Sequence, residues 1–62
     1  MPEPPSRAVL ASLAVSIDDL KARVAEAAQA CADAGDAHTA GELWEVERAL
    51  VQGGRRMGRL LR

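Results

Sequence analysis

Apolar residues recur at spacings of three and four through two long stretches of this chain, with one glycine between them. Leu10, Leu13, Ile17, Leu20, Val24, Ala27, Cys31 and Ala34 form the first ladder. Thr39, Leu43, Val46, Leu50, Gly53, Met57 and Leu60 continue the rhythm after Gly35 and Asp36. That period puts each set on one stripe of an α-helix, the stripe by which one helix packs on another. The pattern predicts an all-α fold, an antiparallel two-helix hairpin, expected to dimerise into a four-helix bundle.

The breaks in the pattern set the boundaries. Residues 1–6 include three prolines. Proline has no amide donor and a fixed φ, so 1–6 is expected to be an extended, disordered leader. Ser6 can cap a helix over 7–34, about 42 Å long at 1.5 Å per residue. Inside it, Ser16 followed by Asp19 resembles a capping box, with Val15 and Leu20 as a hydrophobic staple, so a break near Ser16 is the alternative. The ladder crosses Ser16 without losing register, which favours a continuous helix. Gly35 supplies the left-handed stop, 35–36 the turn, and Asp36 or Thr39 the cap of a second helix over 37–61. Gly53 and Gly54 are its weak point, because glycine costs ~1 kcal/mol relative to alanine in a helix. Met57, Leu60 and Leu61 nevertheless carry the apolar phase past them. Facing positions should alternate in size, with Gly53 and Gly54 opposite Ile17 and Leu20.

Composition limits the core such a hairpin can build. Thirteen of the 30 apolar residues are alanine, and Phe and Tyr are absent. A domain of about 60 residues hides only ~60% of its unfolded surface, and small scaffolds close the deficit with disulfides, metal or self-association. One Cys makes no internal disulfide, and one Cys with one His is too few ligands for a closed zinc site. No metal or other cofactor is therefore expected, which leaves self-association or docking on a larger protein. The net charge of −1 points to neither nucleic acid nor an anionic membrane. No apolar run approaches the ~20 residues of a membrane span, and the start lacks a charged-then-apolar signal pattern. A lone Cys favours a reducing, cytoplasmic setting. The Ala- and Arg-rich usage is the kind that accompanies high-GC bacterial or phage genomes.

The second helix carries the strongest pointer to function. On a wheel of about 100° per residue its apolar arc spans roughly 200°. Val46, Gly53 and Leu60 form one flank, and Trp44, Val51 and Gly58 the other. One partner helix covers about half of that arc, and monomers avoid leaving the rest in water. The expected interface is Leu43, Trp44, Val46, Glu47 and Leu50, continued by Val51, Gly54, Met57, Gly58 and Leu61. A second copy of the chain, giving a homodimer, fits it; so does a groove for a different protein. Glu47 falls inside the arc, where a carboxylate is costly unless paired or reaching water. It reads as a rim residue, or as a register-setting ion pair with Arg23 or Arg48 of a second chain.

Charge adds one more surface. Arg48, Gln52, Arg55, Arg59 and Arg62 follow each other at spacings of four, three, four and three. Like charges at i and i+4 repel slightly, so this stripe is not there for helix stability alone. It is either a solvated face that complements the helix dipole or a contact for an anionic partner. Nucleic acid is disfavoured by the acidic total, the single aromatic and the lack of any groove-entering motif. Asp33, Asp36, Glu42 and Glu45 make the turn end acidic, whereas Arg7, Arg55, Arg56, Arg59 and Arg62 make the open end basic. Two such rods pair unlike ends when laid antiparallel.

The remaining singular residues read as structural. Trp44 is expected in the core or interface, Cys31 as a small buried hydrophobe, and His38 as an exposed first-turn residue. No catalytic set, phosphate-cradling loop or carboxylate–His pattern on one helix face is present. The sequence therefore predicts a non-catalytic interaction or regulatory protein that self-associates. The alternatives are an accessory subunit of a larger assembly and, behind it, a nucleic-acid-associated protein that uses the Arg48, Arg55, Arg59 and Arg62 stripe.

Overall fold

The fold was determined as a computed structural model that describes residues 2–62; Met1 lies outside the described residues. Two helices, α1 (Arg7–Asp33) and α2 (Ala37–Leu60), pack against each other as a hairpin. The chain, leader included, measures 50 × 23 × 14 Å along its principal axes. Pro2 to Ser6 are non-helical and exposed.

Local chemistry accounts for each boundary. Ser6 is extended, and its Oγ accepts the Val9 amide at 3.2 Å, satisfying one of the donors that a helix start leaves free. α1 then runs unbroken through Ser16, so the alternative break is not made. A break there would free several backbone donors and acceptors, while one serine in a helix costs only tenths of a kcal/mol. The helix ends one residue before the expected limit, with Ala34 as its C-cap. Gly35 has φ +84°, the left-handed conformation that glycine adopts without a Cβ penalty. Its amide donates to Ala32 O at 3.1 Å, and the Asp36 amide donates to Cys31 O at 2.9 Å. This pair of crossed bonds is a Schellman motif.

Asp36 also begins the next helix. Its Oδ1 accepts the Thr39 amide at 3.0 Å, so one residue closes α1 through its backbone and caps α2 through its side chain. Thr39, the other candidate cap, lies inside the helix. The hydroxyl and amide of Thr39 hold the Asp36 carboxyl below the usual carboxylate range. Gly53 and Gly54 do not interrupt α2, which ends at Leu60 with Leu61 as its cap. At the open end, the Arg7 guanidinium donates to the Leu61 carbonyl and ties the two helix termini together.

The contact line between the helices differs from the apolar ladder of α1. Leu10, Ile17, Val24 and Cys31, spaced by seven, are half-buried against α2 as expected. Between them sit Ala14, Lys21, Ala25 and Ala28, whereas Leu13, Leu20, Ala27 and Ala34 are exposed. The helix is thus rotated so that small residues face its partner. The physical reason lies near the turn. A three-residue link, Ala34 to Asp36, holds the helices close, and the two buried residues, Ala28 and Ala40, are both alanines. Leucines along that line would hold the axes further apart. On α2 the line takes Thr39, Leu43, Leu50 and Met57 from the ladder and adds Ala40, Gly54 and Leu61, with half-buried Glu47 and Val51 to one side of it and half-buried Gly53 to the other. An added Cβ on Gly54 would stand 3.8 Å from Ile17 Cγ2, so those two positions face each other as expected. Leu20 does not face Gly53, which has nothing within 4 Å of such a Cβ.

Candidate interaction surface

The hairpin leaves large apolar side chains outside. Val9, Leu13, Val15 and Leu20 of α1, and Trp44, Val46 and Leu60 of α2, are all exposed. The chain keeps 4808 Å² in contact with water. Surface-to-mass scaling of folded monomers gives roughly 3,900 Å² for a chain of this size. The extended leader accounts for part of the difference, and several hundred Å² remain. Two helices side by side have no third element to cover their upper and lower faces.

The ten residues expected to form one interface divide into three groups. Leu43, Leu50, Gly54, Met57 and Leu61 lie half-buried on the seam with α1, so they serve the hairpin itself. Trp44, half-buried Val51 and Gly58 lie on one flank of that seam, with Glu47 between the flank and the seam. Val46 lies on the opposite flank, beyond reach of the same partner. The cause is the width of the arc. At about 100° per residue, Trp44 and Val46 are separated by roughly 160° around the axis.

α1 contributes what the sequence reading missed. Val9, Leu13 and Leu20 lie on a second apolar flank, with Leu13 and Leu20 at 49% and 45% exposure. The signal was present, because α1 also has an apolar arc broader than one partner helix covers. The ladder reading assigned all of that arc to the hairpin seam.

The charged residues stay in water. Arg48, Arg55, Arg59 and Arg62 are exposed along the outer side of α2. Arg48 Nη1 lies 3.4 Å from Glu45 Oε1, and Lys21 Nζ lies 3.1 Å from Asp18 Oδ1. Both are within-helix pairs at i and i+3 with exposed acids, and such pairs contribute at most a few tenths of a kcal/mol. The Lys21 stem is half-buried along the seam while its ammonium reaches the surface. His38 is exposed at the start of α2, and Cys31 is half-buried rather than fully enclosed.

Beside the seam runs an open groove lined by Ala14, Val15, Ile17, Asp18 and Lys21 of α1 and by Leu50, Val51, Gly54 and Arg55 of α2. Among the described residues, no three His, Cys, Asp or Glu side chains gather as metal ligands. No helix there is long and apolar enough to cross a membrane. The arrangement offers extended faces for macromolecular contact, one largely apolar and one mixed. Comparison with protein families, curated sequences and solved structures found no match to this chain in any of the three.

Proposed function

We propose that this chain is a non-catalytic interaction or regulatory module that works as a homodimer, two hairpins packed into a four-helix bundle. One observation carries the reading: seven large apolar side chains remain exposed on a 62-residue chain. Hydrophobic burial at ~25 cal/mol per Å² is the principal stabilising term open to such a domain, and a second layer of helices supplies it. The acidic turn end and basic open end favour antiparallel association of the two rods. Size-exclusion chromatography with light scattering, run from micromolar to hundreds of micromolar, tests the reading. A dimer mass and a melting temperature that rises with concentration are expected. A monomer that unfolds cooperatively across the whole range refutes it.

The exposed Arg48, Arg55, Arg59 and Arg62 favour a second reading, docking on a larger assembly through an anionic surface. In that case Arg55→Gln with Arg59→Gln weakens capture of the partner and leaves helicity and chain mass unchanged. If the pair instead dissolves the dimer, the stripe belongs to the self-interface. A micromolar complex with DNA or RNA that weakens steeply with salt would turn the reading toward nucleic acid.

A further inference from the structure

We propose that the second copy binds one particular face of the hairpin, built from both helices: Val9, Leu13 and Leu20 of α1 with Val46, Gly53 and Leu60 of α2. The inference rests on the self-association argued above and specifies which surface carries it.

Helix geometry puts these six residues together. At about 100° per residue, Leu13 and Leu20 lie roughly 40–60° to one side of Ile17, and Val9 about 80° to that side. Val46 and Leu60 lie roughly 40–80° to the same rotational side of Leu50, with Gly53 between them. In an antiparallel pair of right-handed helices, equal rotations away from the contact line end on the same face of the pair. The opposite rotation is directly visible: Ala14, Asp18 and Lys21 share their groove with Val51, Gly54 and Arg55. The facing of Ile17 and Gly54 fixes the position along the rod. Leu60 comes alongside Val9 and Leu13, Gly53 lies between the levels of Ile17 and Leu20, and Val46 lies two turns of α2 nearer the bend.

The two faces differ in the cost of drying them. The groove face includes Asp18, Lys21, Glu47 and Arg55, whose burial carries a heavy desolvation penalty. The Leu20 face has no charged side chain along its middle; Arg23, Glu42 and Arg56 stand at its edges. Leu13 is 49%, Leu20 45%, Val46 46% and Leu60 60% exposed. These side chains supply about half of the ~800 Å² per partner that a standard interface takes, and the residues flanking them on both helices would have to supply the rest.

The face is complementary to itself. Val46 and Leu60 stand seven residues on either side of Gly53, and nothing lies within 4 Å of a Cβ placed on that glycine. A two-fold axis in the interface near Gly53, perpendicular to the rods, sets Val46 toward Leu60 of the partner subunit. On α1 the same axis lies about level with Asp18, so the Leu13–Leu20 stretches of the two chains overlap, and the glycines let the two α2 backbones approach. The axis also points each acidic turn end toward the other chain's basic open end, so the charges attract at a distance and do not pair across the apolar face. Arg48, Arg55, Arg59 and Arg62 remain on the outside of the dimer.

Light scattering on three proteins, with helicity followed by circular dichroism, tests the assignment. Wild type is expected to be dimeric, Leu20→Glu monomeric with its dissociation constant raised about 100-fold or more, and Trp44→Lys dimeric. A dimeric Leu20→Glu beside a monomeric Trp44→Lys overturns the face and leaves self-association standing. A monomeric wild type removes the reading beneath it as well. Oxidative cross-linking decides the matter even if Leu20→Glu loses its helix. In a Cys31→Ala background, Gly53→Cys is expected to form a covalent dimer, because a disulfide needs Cα atoms within about 7 Å. Gly58→Cys, on the groove side, and His38→Cys, at the turn, are expected to stay monomeric on reducing-agent-free gels. Cross-linking through Gly58→Cys overturns the face, and cross-linking through His38→Cys overturns the antiparallel orientation.

Discussion

Adjacent alanines in α1 give the most direct test of how the hairpin is packed. Ala28 has no exposed surface, while Ala27, one residue earlier and about 100° round the helix, is exposed. Ala28→Leu adds three carbon atoms at the tightest part of the contact line, where the short link to α2 prevents the helices from separating. Overpacking of this kind costs about 1–3 kcal/mol. A single core of this size rarely supplies more than ~3–5 kcal/mol in total, so the loss removes a large share of the stability. At 4–8 °C per kcal/mol for a small domain, the melting temperature should fall by roughly 5–20 °C. Ala27→Leu places the same side chain in solvent, where surface changes stay within about 0.5 kcal/mol. Its melting temperature should therefore move by less than about 4 °C, or rise where the leucine extends the apolar flank. Thermal denaturation followed at 222 nm checks both variants, at one fixed protein concentration because association shifts the midpoint. If Ala27→Leu is the more damaging, Leu13, Leu20 and Ala27 form the true seam and the packing described above is wrong.

Other variants probe the turn and the helix interiors. Gly35→Ala forces an L side chain into φ +84° and should lower stability by about 1–2 kcal/mol in urea denaturation; an unchanged midpoint would mean the turn readily adopts another conformation. Gly41→Ala and Gly58→Ala meet nothing within 4 Å and should each raise stability by about 0.4–1 kcal/mol in the same assay; loss of stability at either would reveal a close contact on that side. The Asp36 carboxyl is held below its usual range by Thr39, so its stabilisation is complete above that range. It is lost as pH falls through the range toward the lowered folded value. Melting temperature measured from pH 6 to pH 2 should therefore decline less steeply in Asp36→Asn, which keeps a capping side chain that does not titrate. Parallel curves for the two proteins would exclude Asp36 as a contributor.

The sequence alone determined the helices, their ends and the hairpin they make. Ser6 and Gly35 act through neighbours within five residues in the chain, so their roles as cap and left-handed stop follow from local chemistry, whereas the choice of Asp36 over Thr39 as the second cap was settled by the structure. The continuity of α1 through Ser16 and of α2 through Gly53 and Gly54 follows from an apolar period that keeps its phase across them. The direction in which each helix faces was decided by tertiary structure. Leu10, Ile17, Val24 and Cys31 belong to two overlapping stripes, one completed by Leu13, Leu20 and Ala27, the other by Ala14, Lys21 and Ala28. Hydrophobicity favours the first stripe, and periodicity cannot separate them because both repeat every seven residues. Close approach at the short turn favours the second, since alanines let two helix backbones come together where leucines hold them apart. The leucines released from the seam, with Val46 and Leu60 opposite them, then form the apolar face on the outside. That face exists only because two helices, each apolar over more than one side, meet along their narrower residues.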